Sequence, residues 1–88
     1  MRYRARVDNN QKEIVKCFRD NGCLVLHLHT IGKGCPDLLV EIKGRLVLVE
    51  VKDKSTLTPA QIEFHKKWST SVIINNITEA KKLINSYE

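Results

Sequence analysis

Two charged residues stand at the end of a run that otherwise has the composition of a buried β-strand. Residues 45–51 are mostly β-branched or leucine, which is typical of a strand covered on both faces. Glu50 and Lys52 bring charges into the end of this run. Because side chains alternate along a strand, both lie on one face, about 6.7 Å apart. Removing charges from water is costly unless they have partners or a function, so the segment predicts a functional site on a sheet.

A second carboxylate, Asp37, stands at the start of the preceding predicted strand. The two strands, 37–42 and 45–52, are separated only by Lys43-Gly44, which predicts a tight turn and an antiparallel hairpin. Hydrogen-bonded strands lie about 4.8 Å apart. We therefore expect the hairpin to bring the carboxylates of Asp37 and Glu50 close to each other.

Two carboxylates beside a lysine fit the metal-dependent hydrolysis of a phosphodiester. Mg²⁺ prefers oxygen ligands in an octahedron and keeps several water molecules, so Asp37 and Glu50 suffice to hold one ion. The backbone carbonyl of Val51 can add a third ligand. Lys52 can orient the attacking water or stabilise the transition state. Taken alone, Glu50 and Lys52 are better explained as an ion pair, and it is the addition of Asp37 and Gln61 that favours catalysis.

Hydrophobic periodicity and turn residues predict an α/β fold. A mixed sheet is flanked by helices in the order α-β-β-β-α-β-α. The second helix has a strong start at Thr58-Pro59, a cap residue followed by proline at the first helical position. On its inward side we expect Phe64 and Trp68 to join the core. The predicted elements are a helix at 9–21 capped by Asp8, strands at 23–29, 37–42 and 45–52, a helix at 59–69, a strand at 72–74 and a helix at 78–86.

Length and charge limit the possible partners. The 88 residues suffice for one domain, 1–88, whose residues 1–7 form a basic arm. The net charge of +5 favours an anionic partner such as nucleic acid. The arm is either a solvated terminus or a phosphate-contacting tail. The candidate nucleic-acid contacts are Arg2, Arg4, Arg6, Lys33 and Lys54.

The cysteines and the hydropathy exclude other classes. The three cysteines lack Cys-x-x-Cys spacing, which indicates reduced thiols in an intracellular, cytoplasmic protein. His27, His29 and Cys35 lack a fourth ligand and match no common zinc module, so we do not predict a zinc site. No apolar run approaches 18 residues and no signal peptide is recognisable, so we expect no membrane partner.

Three segments carry a resemblance to a known family. Pro36-Asp37 followed by Glu50-Val51-Lys52 matches the PD-(D/E)XK nuclease pattern. Together with the surrounding Gly-x-Pro-Asp-Leu-Leu, Leu-Val-Glu-Val-Lys and Leu-Thr-Pro-Ala-Gln, the chain resembles the VRR-NUC branch of that superfamily over nearly its whole length. The resemblance implies a restriction-endonuclease-like core.

The resemblance also implies roles for individual residues. Asp37 and Glu50 would bind Mg²⁺ or Mn²⁺, and Lys52 would be the catalytic lysine. Glu13, on the first helix, would contact the metal directly or through water, and Gln61 would complete the site. Small stand-alone members, typically from phages, resemble Holliday-junction resolvases and act on branched DNA as homodimers. A phage-encoded protein of this kind would work in the host cell.

The expected function is therefore that of a metal-dependent, structure-selective endodeoxyribonuclease acting on branched DNA such as four-way junctions. One site per chain cannot make two symmetric cuts, so we expect a homodimer. The apolar faces of the fourth strand and last helix are its candidate interface. The alternative function is a non-catalytic nucleic-acid-binding module that keeps the nuclease fold.

Overall fold

Three helices and four strands make up the structure, a computed structural model that describes residues 10–28, 30–53 and 56–87. The order α-β-β-β-α-β-α and the mixed sheet confirm the predicted fold. The elements are α1 Gln11–Asp20, β1 Leu24–His27, β2 Leu38–Ile42, β3 Arg45–Val51, α2 Pro59–Lys67, β4 Ser71–Ile74 and α3 Ile77–Ser86.

The sheet follows the order of the chain, β1-β2-β3-β4. The first three strands are antiparallel neighbours, and β4 pairs parallel to β3 after the crossover through α2. Lys43 and Gly44 both have positive φ, 50° and 84°, which is the backbone that a two-residue hairpin turn requires. The turn sets the β2–β3 register, in which Leu38 lies opposite Val49. The residues just beyond that pair are Asp37 and Glu50.

The apolar core fills one face of the sheet. Helix α1 packs against α3, and both cover this face. Phe18 and Ile14 of α1 and Ala80 of α3 are fully buried there, as the periodicity of these helices predicts. The sheet contributes the inward side chains of each strand, including Val25, Leu38, Val40, Ile42, Val47, Val49, Val51 and Ile74.

The opposite face of the sheet is covered at one end only. Strand alternation places Leu46, Leu48 and Glu50 on this face. Helix α2 reaches it at the Glu50 end through Gln61. At the other end Leu46 is 60% exposed, so the prediction that β3 is covered on both faces is wrong for its first half.

Two further expectations are corrected. Helix α1 begins at Gln11, with Asn10 as its N-cap residue, whereas Asp8 lies outside the described residues. Trp68 is 53% exposed instead of buried, and none of the residues of α2 is buried. Position 68 is the C-cap of α2 with an extended backbone, so helical periodicity no longer turns its side chain toward the core.

The helices of the described ranges are all too short, or too polar, to cross a lipid bilayer.

Candidate active site

Asp37 is held against the backbone of the strand that carries the other charges. Its Oδ2 accepts a hydrogen bond of 2.8 Å from the Val51 N–H. In a strand, the N–H and the C=O of one residue point to the same neighbouring strand. The Val51 carbonyl therefore points to the same side as the Asp37 carboxylate. This hydrogen bond fixes a carboxylate and a backbone carbonyl at the point where β2 begins and β3 ends.

Glu50 is a buried carboxylate with two polar neighbours. It is only 2% exposed, and its Oε2 lies 3.9 Å from the Lys52 Nζ. The Lys52 side chain is itself 13% exposed. At this separation the lysine acts through its charge and is not held in a short hydrogen bond. A buried carboxylate is costly without such partners. The two side chains thus provide the opposite charges that we expect where charged residues lie in a buried strand.

Gln61 connects the start of α2 to Glu50. Its Oε1 accepts a hydrogen bond from the Thr58 N–H (2.9 Å), and its Nε2 donates to Glu50 Oε2 (3.1 Å). Its own N–H donates to Thr58 Oγ1, which completes the capping box. The carboxamide oxygen of Gln61 thus caps the helix, while its nitrogen binds the Glu50 carboxylate.

The loop before β2 supplies a neighbour that sequence reasoning missed. Burial raises the pKa of the Cys35 thiol, and the negative charges of Glu50 and Asp37 raise it further. The thiol is thus close enough to sense both carboxylates. The sequence signal for this neighbour was the position of Cys35, two residues before Asp37. Cys35 was considered above only as a zinc ligand.

Gly34 fixes the distance between this loop and α2. It has a φ of +79°, and a Cβ there would overlap the Ala60 carbonyl oxygen and lie 2.6 Å from the carbonyl carbon. The start of α2, including Gln61, therefore sits directly on the loop. Only glycine permits this approach.

Gly34→Ala is expected to destabilise the protein more than Gly32→Ala. Both glycines have a φ of +79°, so alanine pays the same left-handed penalty of about 1–2 kcal/mol at each. Only the Gly34 substitution also displaces Ala60, which adds about 1–3 kcal/mol of overpacking. Thermal melts of both variants measure the difference. Equal losses of melting temperature would show that the Gly34–Ala60 contact is not tight.

The other predicted site residues are either exposed or outside the described residues. Glu13 lies exposed in the first turn of α1, and within the described part of the chain no three His, Cys, Asp or Glu side chains form a group able to hold a metal. The role of Glu13 as a metal ligand stays a prediction. Lys33 is exposed in the loop before β2. The remaining candidates, Arg2, Arg4, Arg6 and Lys54, lie outside the described residues.

The donor atoms fit a hard divalent cation. Asp37 and Glu50 supply carboxylate oxygens, and the Val51 carbonyl points to the Asp37 side of β3. Mg²⁺ and Mn²⁺ accept such oxygen ligands, and Mg²⁺ commonly completes its shell with water. Two carboxylates and a carbonyl are thus enough without a third acidic side chain.

Comparisons with known proteins bear on the fold that carries these residues. No protein-family model and no curated protein sequence matches the chain. A solved structure described as a VRR_NUC domain superimposes on it with a TM-score of 0.72 at 26% identity, and the match covers 92% of this chain and 100% of that one. Since the match covers nearly the whole of both chains, the chain has the fold of a VRR_NUC domain, as the sequence resemblance predicts.

Proposed function

We propose that this protein is a Mg²⁺- or Mn²⁺-dependent, structure-selective endodeoxyribonuclease that cleaves branched DNA, such as four-way junctions, as a homodimer. The observation that carries the proposal is the hydrogen bond from the Val51 N–H to Asp37. It joins the two strands at the point where Glu50 and Lys52 occupy one face. The VRR-NUC likeness supports DNA as the substrate class.

Each residue has a definable task in phosphodiester hydrolysis. Asp37 and Glu50 would hold the cation, which supplies an activated water and a sink for negative charge when bound. Gln61 fixes the Glu50 carboxylate through its 3.1 Å hydrogen bond. Lys52 provides a positive charge near the scissile phosphate. Because its side chain is largely buried, water screens this charge only weakly.

The burial of Glu50 favours catalysis over a non-catalytic binding module. A surface that only binds DNA needs exposed cations, and a nearly inaccessible carboxylate repels phosphate. Keeping Glu50 at 2% exposure costs desolvation energy, which Lys52 and Gln61 offset, and a surface that only binds DNA has no need of such an arrangement. A metal ion between Asp37 and Glu50 would reverse the sign of the local charge.

Cleavage of a panel of labelled DNAs tests the function. We expect Mg²⁺- or Mn²⁺-dependent cutting of four-way junctions and no cutting in EDTA, with fully paired duplex cut at least about tenfold more slowly. Flap and single-stranded DNAs complete the panel. Tight binding without cutting in either metal would instead establish the non-catalytic module.

The open end of the sheet is the surface that best fits a second copy. Leu24, Leu26 and Leu46 are 67%, 61% and 60% exposed, and they line a groove of about 710 Å³. Arg19 and Glu41 line the same groove, so a twofold pairing can set the arginine of one copy against the glutamate of the other. The last helix, one of the expected interfaces, uses Ala80 and Ile84 in its own core instead.

Leu26→Glu is expected to convert the dimer into a monomer, because it places an unpaired charge in the centre of the apolar patch. Light scattering behind a sizing column should report about twice the 10.1 kDa chain mass for the wild type and about that mass for the variant. Ile62→Glu is the matched control, since Ile62 is 43% exposed on α2. A wild type that is monomeric at micromolar concentration and still converts junctions into two duplexes would contradict the dimer.

A further inference from the structure

We propose that Trp68 and Phe64 form a stacking platform for an unpaired nucleobase beside the active site, a proposal that rests on the nuclease function above. The two rings lie one helical turn apart on α2 and stack with a centroid distance of 5.2 Å and an interplanar angle of 6°. Phe64 is half-buried, whereas Trp68 is 53% exposed. The indole is thus supported on one side and accessible on the rest of its surface.

The platform lies on the helix that carries Gln61. Trp68 is the C-cap residue of α2, seven residues after Gln61, so the two backbone positions are about 10.5 Å apart along the helix axis. Gln61 is the residue that binds Glu50. A nucleotide stacked on Trp68 would therefore lie within a few nucleotide spacings of the carboxylates.

The charges around the platform suit a polyanion. The last turn of α2 is basic, with Lys66 and Lys67 exposed. Lys67 pairs with Glu63 at 3.5 Å, so Lys66 supplies the larger part of the attraction, while His65 turns to Ser71 at 2.7 Å. A second copy of this chain, with its net charge of +5, is a poorer occupant than DNA.

The chemistry of stacking defines the substrate class. Bases inside a duplex are covered on both faces by their neighbours, so an aromatic side chain can stack only on a base that is unpaired or at an open end. The platform therefore selects DNA with unpaired nucleotides near the branch, such as flaps and imperfect junctions, over continuous duplex.

The experiment uses Trp68 as its own reporter, because it is the one tryptophan of the chain. Titration of a dT oligonucleotide or a flap into the full-length protein should quench its fluorescence, and a covalently closed circular duplex, which has no open ends, should leave it unchanged. Trp68→Ala should weaken binding of the oligonucleotide about tenfold by anisotropy, and Trp68→Phe should restore most of it.

Salt dependence and a control separate stacking from other causes. The loss in Trp68→Ala should be the same at each salt concentration, whereas Lys66→Ala should reduce the salt slope by about one phosphate. Ile62→Ala, on the same helix, should bind like the wild type. Unquenched fluorescence, or equal affinity of Trp68→Ala for the oligonucleotide, would overturn the platform. Binding and quenching are read without metal, so a protein that binds in this way but never cuts would refute the nuclease function alone.

We also infer, from a separate set of contacts, that Asn10 is a positioning residue for Lys52, again within the proposed nuclease function. The Asn10 Nδ2 donates to the Lys52 carbonyl (3.0 Å) and to the Asn75 carbonyl (2.6 Å). The Lys52 N–H in turn donates to the Ile74 carbonyl (3.0 Å). The backbone of Lys52 is thus held through both its N–H and its carbonyl just after β3 has ended.

The Asn10 side chain makes these contacts instead of capping its own helix. It is the N-cap residue of α1, yet its side chain caps no helix N–H, a bond that typically stabilises a helix. Its buried Oδ1 accepts no hydrogen bond from the described residues. A residue that breaks the local rules in favour of a distant contact is typical of a functional site.

Asn10→Asp separates positioning from stability. Aspartate is an equally good N-cap and its charge suits the helix N-terminus, but an ionised carboxylate cannot donate to the two carbonyls. We expect its melting temperature to stay near that of the wild type while kcat on a branched substrate falls at least about tenfold with KM unchanged. Asn10→Ala should show the same fall in kcat when assayed well below its melting temperature.

The matched control lies at the other end of the same helix. Asn21 Nδ2 donates to the Cys17 carbonyl (2.8 Å), so Asn21→Asp removes a similar bond and should lower the melting temperature without changing kcat. The carbonyl ¹³C shifts of Lys52 and Asn75 should change in Asn10→Asp only. An unchanged kcat, or unchanged shifts, would overturn the positioning role. A wild type that cuts no DNA would instead refute the nuclease function, and the shifts would still report whether Asn10 holds Lys52.

Discussion

Lys52→Met is expected to lower kcat on branched DNA by a factor on the order of 10³ while leaving DNA affinity nearly unchanged. Methionine keeps the length and the apolar stem of the side chain and removes only the charge. That charge is largely buried and lies 3.9 Å from Glu50, where bulk water cannot replace it. Single-turnover cleavage with saturating enzyme measures the chemical step, and anisotropy measures binding.

Lys67→Met is the matched control for this experiment. Lys67 also lies near a glutamate, Glu63, at 3.5 Å, but both side chains are more than half exposed. Its loss should affect kcat little, because exposed ion pairs contribute little and the pair is not at the site. A Lys52→Met protein that cuts at the wild-type rate would remove lysine from the mechanism. If that variant no longer melts cooperatively, Lys52→Gln replaces it, because glutamine also removes the charge but can still donate a hydrogen bond to Glu50.

Asp37→Asn is expected to weaken Mn²⁺ binding by more than about a hundredfold without unfolding the hairpin. The carboxamide oxygen of asparagine can still accept the Val51 N–H, so the 2.8 Å hydrogen bond has an acceptor in both proteins. What is lost is the negative charge that a divalent cation needs. Calorimetric titration with Mn²⁺ gives the affinity directly.

Glu41→Gln provides the control for Asp37→Asn, because Glu41 is an acid of the same hairpin, on the groove face of β2. It should bind Mn²⁺ like the wild type. Equal affinity of Asp37→Asn and the wild type would mean that the ion, if it binds at all, does not use Asp37.

The order of the elements and the centre of the site were predictable from the sequence because they depend on local patterns. Strand alternation alone puts Glu50 and Lys52 on one face, and the two-residue turn at Lys43-Gly44 fixes the register that brings Asp37 beside Val51. The likeness to a VRR_NUC domain confirms the predicted resemblance and fold. The functional roles of these residues remain predictions.

The features that could not be predicted from the sequence depend on contacts between distant segments. The position of Trp68 follows from where α2 ends, and helix ends are set by tertiary packing. The contact of Gly34 with Ala60 joins a loop to a helix 26 residues later, and no local signal marks it. Asn10 was predicted only to lie within the first helix, yet its partners, Lys52 and Asn75, are 42 and 65 residues away.

The shallow attachment of α2 has a consequence for how the molecule loses its structure. None of the residues of α2 is buried, and its links to the rest of the chain include single contacts such as Gln61 to Glu50 and His65 to Ser71. Local opening of such an element exposes little apolar surface and therefore costs much less free energy than unfolding the core. Detachment of α2 would take Gln61 away from Glu50 while α1, α3 and the sheet stay folded. The contact between Gln61 and Glu50 is thus lost at a lower free-energy cost than the fold that supports it.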